Sequence, residues 1–382
     1  MLRSTDRILV THQGTLPRPD DLKTMMAARS RGEAYDAPRH GERVRESVAE
    51  AVRRQVDIGI DTVNDGELSK TSFSDYVSDR FDGIEPTDKP YVSPISGRDI
   101  REFPEYFGLV GALGRSPGLR RVVFSCTGPL TYVGQSAVQT DIANFRAALG
   151  GLKANEVYLP AVAPGSIEHW LKNVHYKTDE EYLFAIADAM HEEYQAIVDA
   201  GFLLQIDDPD LADGWQVHPD LDVAGYRRVA EMRTAALNHG LRGIPEDRVR
   251  LHMCWGSYHG PHKHDLPLSE FVDIVLQAHV GAYSIESSNP RHEHEWRVWE
   301  DVDFPEGKTL IPGVVGHFSD FVEHPRLVAD RLIRYARILG RENIIAGTDC
   351  GLGTRVGEAK ICWAKLEALV EGARIASQEL WS

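Results

Sequence analysis

The chain predicts an α/β fold: a (βα)8 TIM barrel with an inserted proline-rich segment. Three observations carry this expectation. Strand-like runs alternate with helix-like runs over most of the 382 residues, which implies parallel strands joined by right-handed crossovers. Residues able to bind metal or move protons fall at the carboxyl ends of the strand-like runs, where barrels keep their chemistry. No Gly-x-Gly-x-x-Gly follows a strand, so a dinucleotide-binding fold is disfavoured.

The candidate strands in chain order are 8–15, 60–66, 121–128, 156–163, 202–207, 249–254, 282–287, 309–315 and 343–349. That is nine where a barrel needs eight, so one of them, 121–128 or 156–163, stands outside it. Amphipathic stretches such as Thr178 to Gly201 and His324 to Gly340 lie between strands. In the first, Tyr182, Leu183, Ile186, Met190, Tyr194 and Ile197 form a helical stripe with Glu180, and Gly201 ends it. The segment from about Gly83 to Pro117 breaks the alternation with Pro86, Pro90, Pro94, Pro104 and Pro117. It reads as a lid or an oligomer interface on a single domain spanning 1–382.

Composition narrows the function. Lys plus Arg is 42 against 58 Asp plus Glu, a net charge of -16. That balance argues against nucleic acid or an anionic membrane as partner and favours small molecules. No apolar run approaches the ~20 residues of a membrane helix, and the first residues show no signal-peptide region. Four cysteines, Cys126, Cys254, Cys350 and Cys362, are too few for a disulfide framework, so reduced thiols in the cytoplasm are expected. Homo-oligomerisation is left open.

The most pointed motif is His252-Met-Cys254, at the end of a strand-like run before Trp255-Gly256. Residues i and i+2 of a strand share a face, so an imidazole and a thiol point the same way, which is half a zinc site. Glu286 and Cys350 end two later runs. Together His252, Cys254, Glu286 and Cys350 offer N, S, O and S donors, soft enough to select Zn2+ over magnesium. Two histidine-rich loops, Tyr258-His259-Gly-Pro-His262-Lys-His264-Asp265 and Arg291-His292-Glu-His294-Glu295, come after the strands. They read as solvated loops or as groups for recognition and proton transfer. Cys126 and Cys362 read as structural.

These motifs resemble the catalytic barrel of cobalamin-independent methionine synthase. Thr11-His-Gln-Gly14-Thr15-Leu-Pro17 resembles the family's first-strand loop for the homocysteine carboxylate. Asn64-Asp65-Gly66-Glu67 resembles its second-strand His-Gly-Glu, whose glutamate takes the amino group, although Asp65 replaces the histidine and Leu68-Ser-Lys70 replaces the residues beyond the glutamate. Gln205-Ile-Asp207-Asp208-Pro209 resembles the family's Gln-Ile-Asp-Glu-Pro. His252, Cys254, Glu286 and Cys350 match its zinc ligands, with Thr354-Arg355 next in the chain as in the family. His317, in Gly313-Val-Val-Gly316-His317, lies near the family's catalytic histidine but out of register.

The resemblance implies a zinc-dependent alkyl transfer in which a small thiol attacks the electrophilic carbon of an alkyl donor to give a thioether. His317, Asp207 and His259 are the candidate acids for the leaving atom. Gly14, Thr15, Glu67 and Asp207 would bind the thiol substrate, with Arg355 or Arg18 for a carboxylate or sulfonate. Trp170 would stack on a flat donor. Two other readings stand beside this one. An epoxide-opening transferase using coenzyme M or a similar thiol belongs to the same superfamily. A barrel that binds zinc or ligand without catalysis would use the site structurally, and a zinc hydrolase is disfavoured because two thiolates blunt the metal's Lewis acidity.

Overall fold

The computed structural model describes residues 1–87, 97–112 and 123–382. Among these the strands, in chain order, are β1 (Leu9–Val10), β2 (Thr62–Val63), β3 (Phe81–Thr87), β4 (Val123–Tyr132), β5 (Glu156–Val162), β6 (Lys172–Asn173), β7 (Leu203–Asp207), β8 (Val249–Met253), β9 (Ala282–Ile285), β10 (Thr309–Val315) and β11 (Ile345–Thr348). Eight of them form one sheet in the order β1-β11-β10-β9-β8-β7-β5-β2. Every pairing in it is parallel. A parallel bridge from Thr11 to Thr62 joins the two outer strands, so the sheet closes and keeps no free edge. The fold is the expected α/β TIM barrel.

The excess ninth strand is the run at 121–128. Its described part, β4, pairs antiparallel with β3 and parallel with the short β6 in a separate three-stranded sheet. Burial explains the difference. Strands β7 to β11 are buried at every position, as strands covered on both faces must be. β4 instead interleaves exposed and covered residues. β1 and β2 are shorter than the runs 8–15 and 60–66 because side chains take over the backbone donors beyond them. Gln13 N donates to Thr348 Oγ1 (3.0 Å) and Asn64 N to Gln55 Oε1 (3.0 Å).

Local sequence sets the helix ends. Asp36 caps Ala37–Ile58 by accepting from Arg39 N, with a proline in the first turn, and Gly59 ends the helix at φ 95°. Thr178 and Asp222 cap Asp179–Asp199 and Val223–Gly240 in the same manner. The stripe predicted on Asp179–Asp199 is buried from Tyr182 to Ile197, whereas Glu180 faces solvent. The main core lies between barrel and helices. A small cluster of Leu9, Ala282, Ile311 and Ile345, with Met1 against it, lies apart from that core.

Between β2 and the helix Gln135–Leu149 the chain makes its long excursion. Of the proline-rich segment 83–117, residues 88–96 and 113–117 lie outside the described residues. The remainder includes most of β3 and the helices Gly97–Glu102 and Pro104–Ala112. Arg98 anchors the first helix. It donates to the carbonyls of Trp215, His218 and Leu221, and its guanidinium lies 3.4 Å from the Trp215 ring centroid.

Arg80, at the start of this excursion, is buried between Asp141 (2.5 Å) and Glu193 (2.8 Å). Tyr76 and Tyr132 donate their hydroxyls to the same Glu193. Removing the cation strands two buried carboxylates, a loss on the order of 3–5 kcal/mol. Arg80→Met is therefore expected to lower stability by about that much in denaturant unfolding; a change under about 1 kcal/mol would show that the network does not hold the excursion to the barrel.

Candidate metal centre and active site

The barrel brings the nitrogen and sulfur donors together. His252 lies on β8, Cys254 directly after it, and Cys350 two residues beyond β11. One ligand atom from each lies within 4.8 Å of the others. His252 is buried, yet neither of its ring nitrogens has a hydrogen-bond partner among the described residues. A buried imidazole with two idle nitrogens beside two thiols fits a soft metal ion. The thiols divide their charge unequally. The Cys254 thiol, hydrogen-bonded to Cys350, holds that sulfur well below the usual thiol range despite burial, aided by His317 and His252. The same bond, reinforced by burial, raises Cys254. Ser257 Oγ also donates to Cys350 Sγ (3.2 Å).

Glu286 is placed differently from the other three. Its carboxylate groups with His317 and Asp349, again within 4.8 Å, and accepts from Trp255 N (2.9 Å) and Asn289 Nδ2 (3.1 Å). Asp349 accepts from Ser287 N, Ser288 N and Ser288 Oγ. Burial, then the charge of Glu286, pushes Asp349 up to about 8. A Cβ at Gly313 would sit 2.2 Å from Asp349 Oδ1, so only glycine admits this approach. The register of β10 on β11 also slips between Gly313 and Val315. This bulge gives β10 an extra residue just before the turn that delivers His317. His317 is fully buried, with both ring nitrogens unpartnered among the described residues.

Gly14, Thr15, Glu67 and Asp207 surround the other half of the barrel mouth. Thr15 Oγ1 donates to Glu67 Oε2 (2.8 Å), and a Cβ at Gly14 would lie 2.1 Å from Glu67 Oε1. Glu67 holds φ 55°, unusual for a residue with a side chain. Two Asx turns impose it: Asn64 Oδ1 accepts from Gly66 N and Asp65 Oδ1 from Glu67 N, each at 2.9 Å. Strand register sets Asp207 beside His252. Burial, then Glu67, pushes Asp207 up to about 7.

The remaining candidates spread outward. Arg18 donates to the carbonyls of Glu67 and Lys70, so it clasps the turn that carries Glu67. Arg355 is half-buried, its Nε has no partner among the described residues, and burial lowers it while the Cys350 and Cys254 charges oppose that. Trp170 ends the helix Pro164–Trp170 and stacks on His169 at 5.0 Å and 16°. His259 lies half-buried on the loop after β8, outside both donor groups.

Comparison with known proteins decides the family. The profile described as the cobalamin-independent synthase catalytic domain matches residues 164–375, over half of the chain and inclusive of every candidate metal ligand. The chain belongs to this family. A 5-methyltetrahydropteroyltriglutamate–homocysteine methyltransferase of Thermotoga petrophila is 24% identical over 359 residues, covering 90% of this chain and 41% of that enzyme. A methionine synthase of Thermococcus kodakarensis is 23% identical over 371 residues, covering 96% and 93%. The chain thus spans less than half of the bacterial relative but nearly all of the archaeal one. Among solved structures, a B12-independent methionine synthase from Shewanella sp. W3-18-1 in complex with selenomethionine shares the fold with a TM-score of 0.75 at 18% identity, covering 98% and 99% of the chains. These relatives make the chain methionine-synthase-like, in a family with named methyltransferases, and lend no support to the epoxide-opening alternative.

The two histidine-rich loops read as solvated or as groups for recognition and proton transfer; the solvated reading is corrected for His262 and His292, which are buried. His262 Nδ1 pairs with Asp265 (2.8 Å), His292 Nε2 with the same Asp265 (3.0 Å) and His292 Nδ1 with Glu295 (2.9 Å). The repeated spacing His262-x-x-Asp265 and His292-x-x-Glu295 was the available signal. Burial pulls the His292 imidazolium down, but its bonds to Asp265 and Glu295 outweigh that and carry it up to about 9. A raised histidine stabilises the fold fully below its ordinary value near 6.5 and loses that contribution as pH rises through 9. Stability is expected to fall between pH 7 and 9.5 by up to about 3 kcal/mol. His292→Gln is expected to flatten that slope in denaturant titrations; an unchanged slope would assign it to other groups.

Proposed function

We propose that this chain is a zinc-dependent methyltransferase of methionine-synthase type, transferring an alkyl group to a small thiol. The observation that carries this reading is the meeting of buried His252 and Cys254 with half-buried Cys350 at strand ends, with both His252 nitrogens idle. Zinc held by these three residues, with Glu286 as the fourth ligand, would supply a soft Lewis acid that keeps a thiol deprotonated at neutral pH.

The chain's own residues do the rest. Glu67, fixed by Thr15 and cleared by Gly14, takes the ammonium of an amino-acid thiol together with Asp207. Arg355, with its idle Nε, takes the carboxylate. Trp170 seats a flat donor. The substrate sulfur then forms a bond to the alkyl carbon as the bond from that carbon to nitrogen or oxygen breaks. The departing atom keeps the electron pair and accepts a proton from one of three candidate acids: His317, whose protonated form burial disfavours, Asp207, which burial keeps protonated up to about 7, or His259. The names of the relatives point to homocysteine as thiol and a methyl-tetrahydropteroyl compound as donor. Four free cysteines are consistent with a reducing, cytoplasmic setting.

Zinc-edge X-ray absorption on the purified protein tests the reading. Two sulfur ligands are expected, rising to three when the correct thiol from a panel including homocysteine and coenzyme M is added. No zinc uptake, or no thiol entering the shell, would leave a binding or structural barrel in its place. Glu67→Gln is expected to keep zinc while transfer to an amino-acid thiol falls by about 10²-fold or more, as loss of a charged, buried hydrogen bond requires; unchanged kinetics would remove Glu67 from substrate binding.

A further inference from the structure

The buried histidine pairs form the middle of a longer chain of contacts. On its outer side, Asp265 Oδ1 accepts from Gln216 Nε2 (2.8 Å). Gln216 Oε1 in turn accepts from Arg98 N and Asp99 N, both at 3.2 Å, at the start of the helix Gly97–Glu102. A Cβ at Gly97 would lie 2.5 Å from Gln216 O, so the glycine allows the close seat. Asp99 closes the clamp by accepting from Lys263 N (3.2 Å) and His264 N (3.1 Å). Asp99 and Gln216 are themselves buried.

On its inner side the chain reaches the metal ligands. His292 stacks on Trp255 at 3.8 Å and 16°. Trp255 is buried, packs edge-on against Phe271, and donates its Nε1 to Leu266 O (2.8 Å). It comes directly after Cys254, and its backbone N–H is the donor to Glu286. His262 stacks on Tyr258 and meets the edge of Phe318, the neighbour of His317. All four ring nitrogens of His262 and His292 have acceptors, so this is no second metal site.

We infer that the Gln216–Asp265–His292 chain is a positioning relay: the helix Gly97–Glu102 sets, through Trp255, the Cys254 turn and the Glu286 carboxylate, and thereby the affinity of the centre for its metal. It rests on the metal reading above. Outer partners of ligands commonly change metal affinity 10–100-fold. Here the partners act through a stacked indole and a main-chain N–H.

The test is zinc affinity of the full chain by competition with a chromogenic chelator. Asp265→Asn removes the charge shared by both histidines and is expected to weaken zinc by about 10–100-fold. Asp265→Glu, which keeps the charge, is expected to restore most of the loss. Gln216→Leu cuts only the link to the clamp helix and leaves the histidine pairs intact; a loss of about tenfold is expected. The sulfur count at the zinc edge should stay at that of the unaltered chain in all three, since no ligand is removed. Affinities within twofold of the unaltered protein for Asp265→Asn and Gln216→Leu overturn the relay alone. If Asp265→Asn does not fold, Gln216→Leu decides. Failure of the unaltered chain to bind zinc overturns both the relay and the proposed function.

Discussion

Arg250 stands on β8 inside the barrel, and much of the mouth is arranged around its charge. It is buried, with Nη1 donating to Thr11 Oγ1 (2.9 Å) and Nη2 to His12 O (3.0 Å) and Gln13 Oε1 (3.3 Å). Its guanidinium also lies 4.1 Å from the Tyr158 ring centroid. β8 and β1 are four places apart in the eight-stranded order, so one side chain ties opposite walls together. A buried cation is tolerated only where its donors are met. The carbonyl and side-chain oxygens that meet it belong to the loop that goes on to Gly14 and Thr15. The position of that loop, and with it the cradle around Glu67, follows from supplying acceptors to the Arg250 Nη atoms; Nε has no partner among the described residues.

The opposite side of the mouth answers to a different constraint, close approach. Gly313 leaves room for Asp349, the bulge in β10 leads into His317, and Trp255 N–H reaches Glu286. Two donor groups result, one of nitrogen and sulfur and one of carboxylates with an imidazole. The first has the composition of a soft metal site; the second has hydrogen-bonded carboxylates and an idle buried histidine. The two groups adjoin within one ring of strand ends, for the charges of Cys350 and Glu286 both act on His317.

Local period and spacing made much of the molecule legible in the sequence. All eight barrel strands lie within predicted runs, and His252-x-Cys254 faces one way because a strand alternates. Cys350 was legible as a strand-end donor, and the resemblance matched it to the zinc ligands; its actual approach to the pair depends on closure of the barrel. Long-range partners were not legible. β3 could not be matched to β4 across a proline-rich stretch. Arg18 read as a group for a substrate carboxylate or sulfonate and proves to clasp the Glu67 turn. The histidine loops looked solvated because polarity is visible in a sequence and enclosure is not; His262 and His292 are buried only because Asp265 and Glu295 compensate their charge.

The clamp helix Gly97–Glu102 finds its partners far along the chain. Its hydrogen bonds span 117 residues to Trp215 and 165 to His264. Contacts of such separation reward the chain only after the intervening loop has been closed, and such closures slow folding. Seating this helix therefore requires that β7 and β8 already be in place, and the Cys254 turn reaches its final shape late in the assembly of the molecule. A newly made chain would complete the turn that carries Cys254 after it closes the barrel.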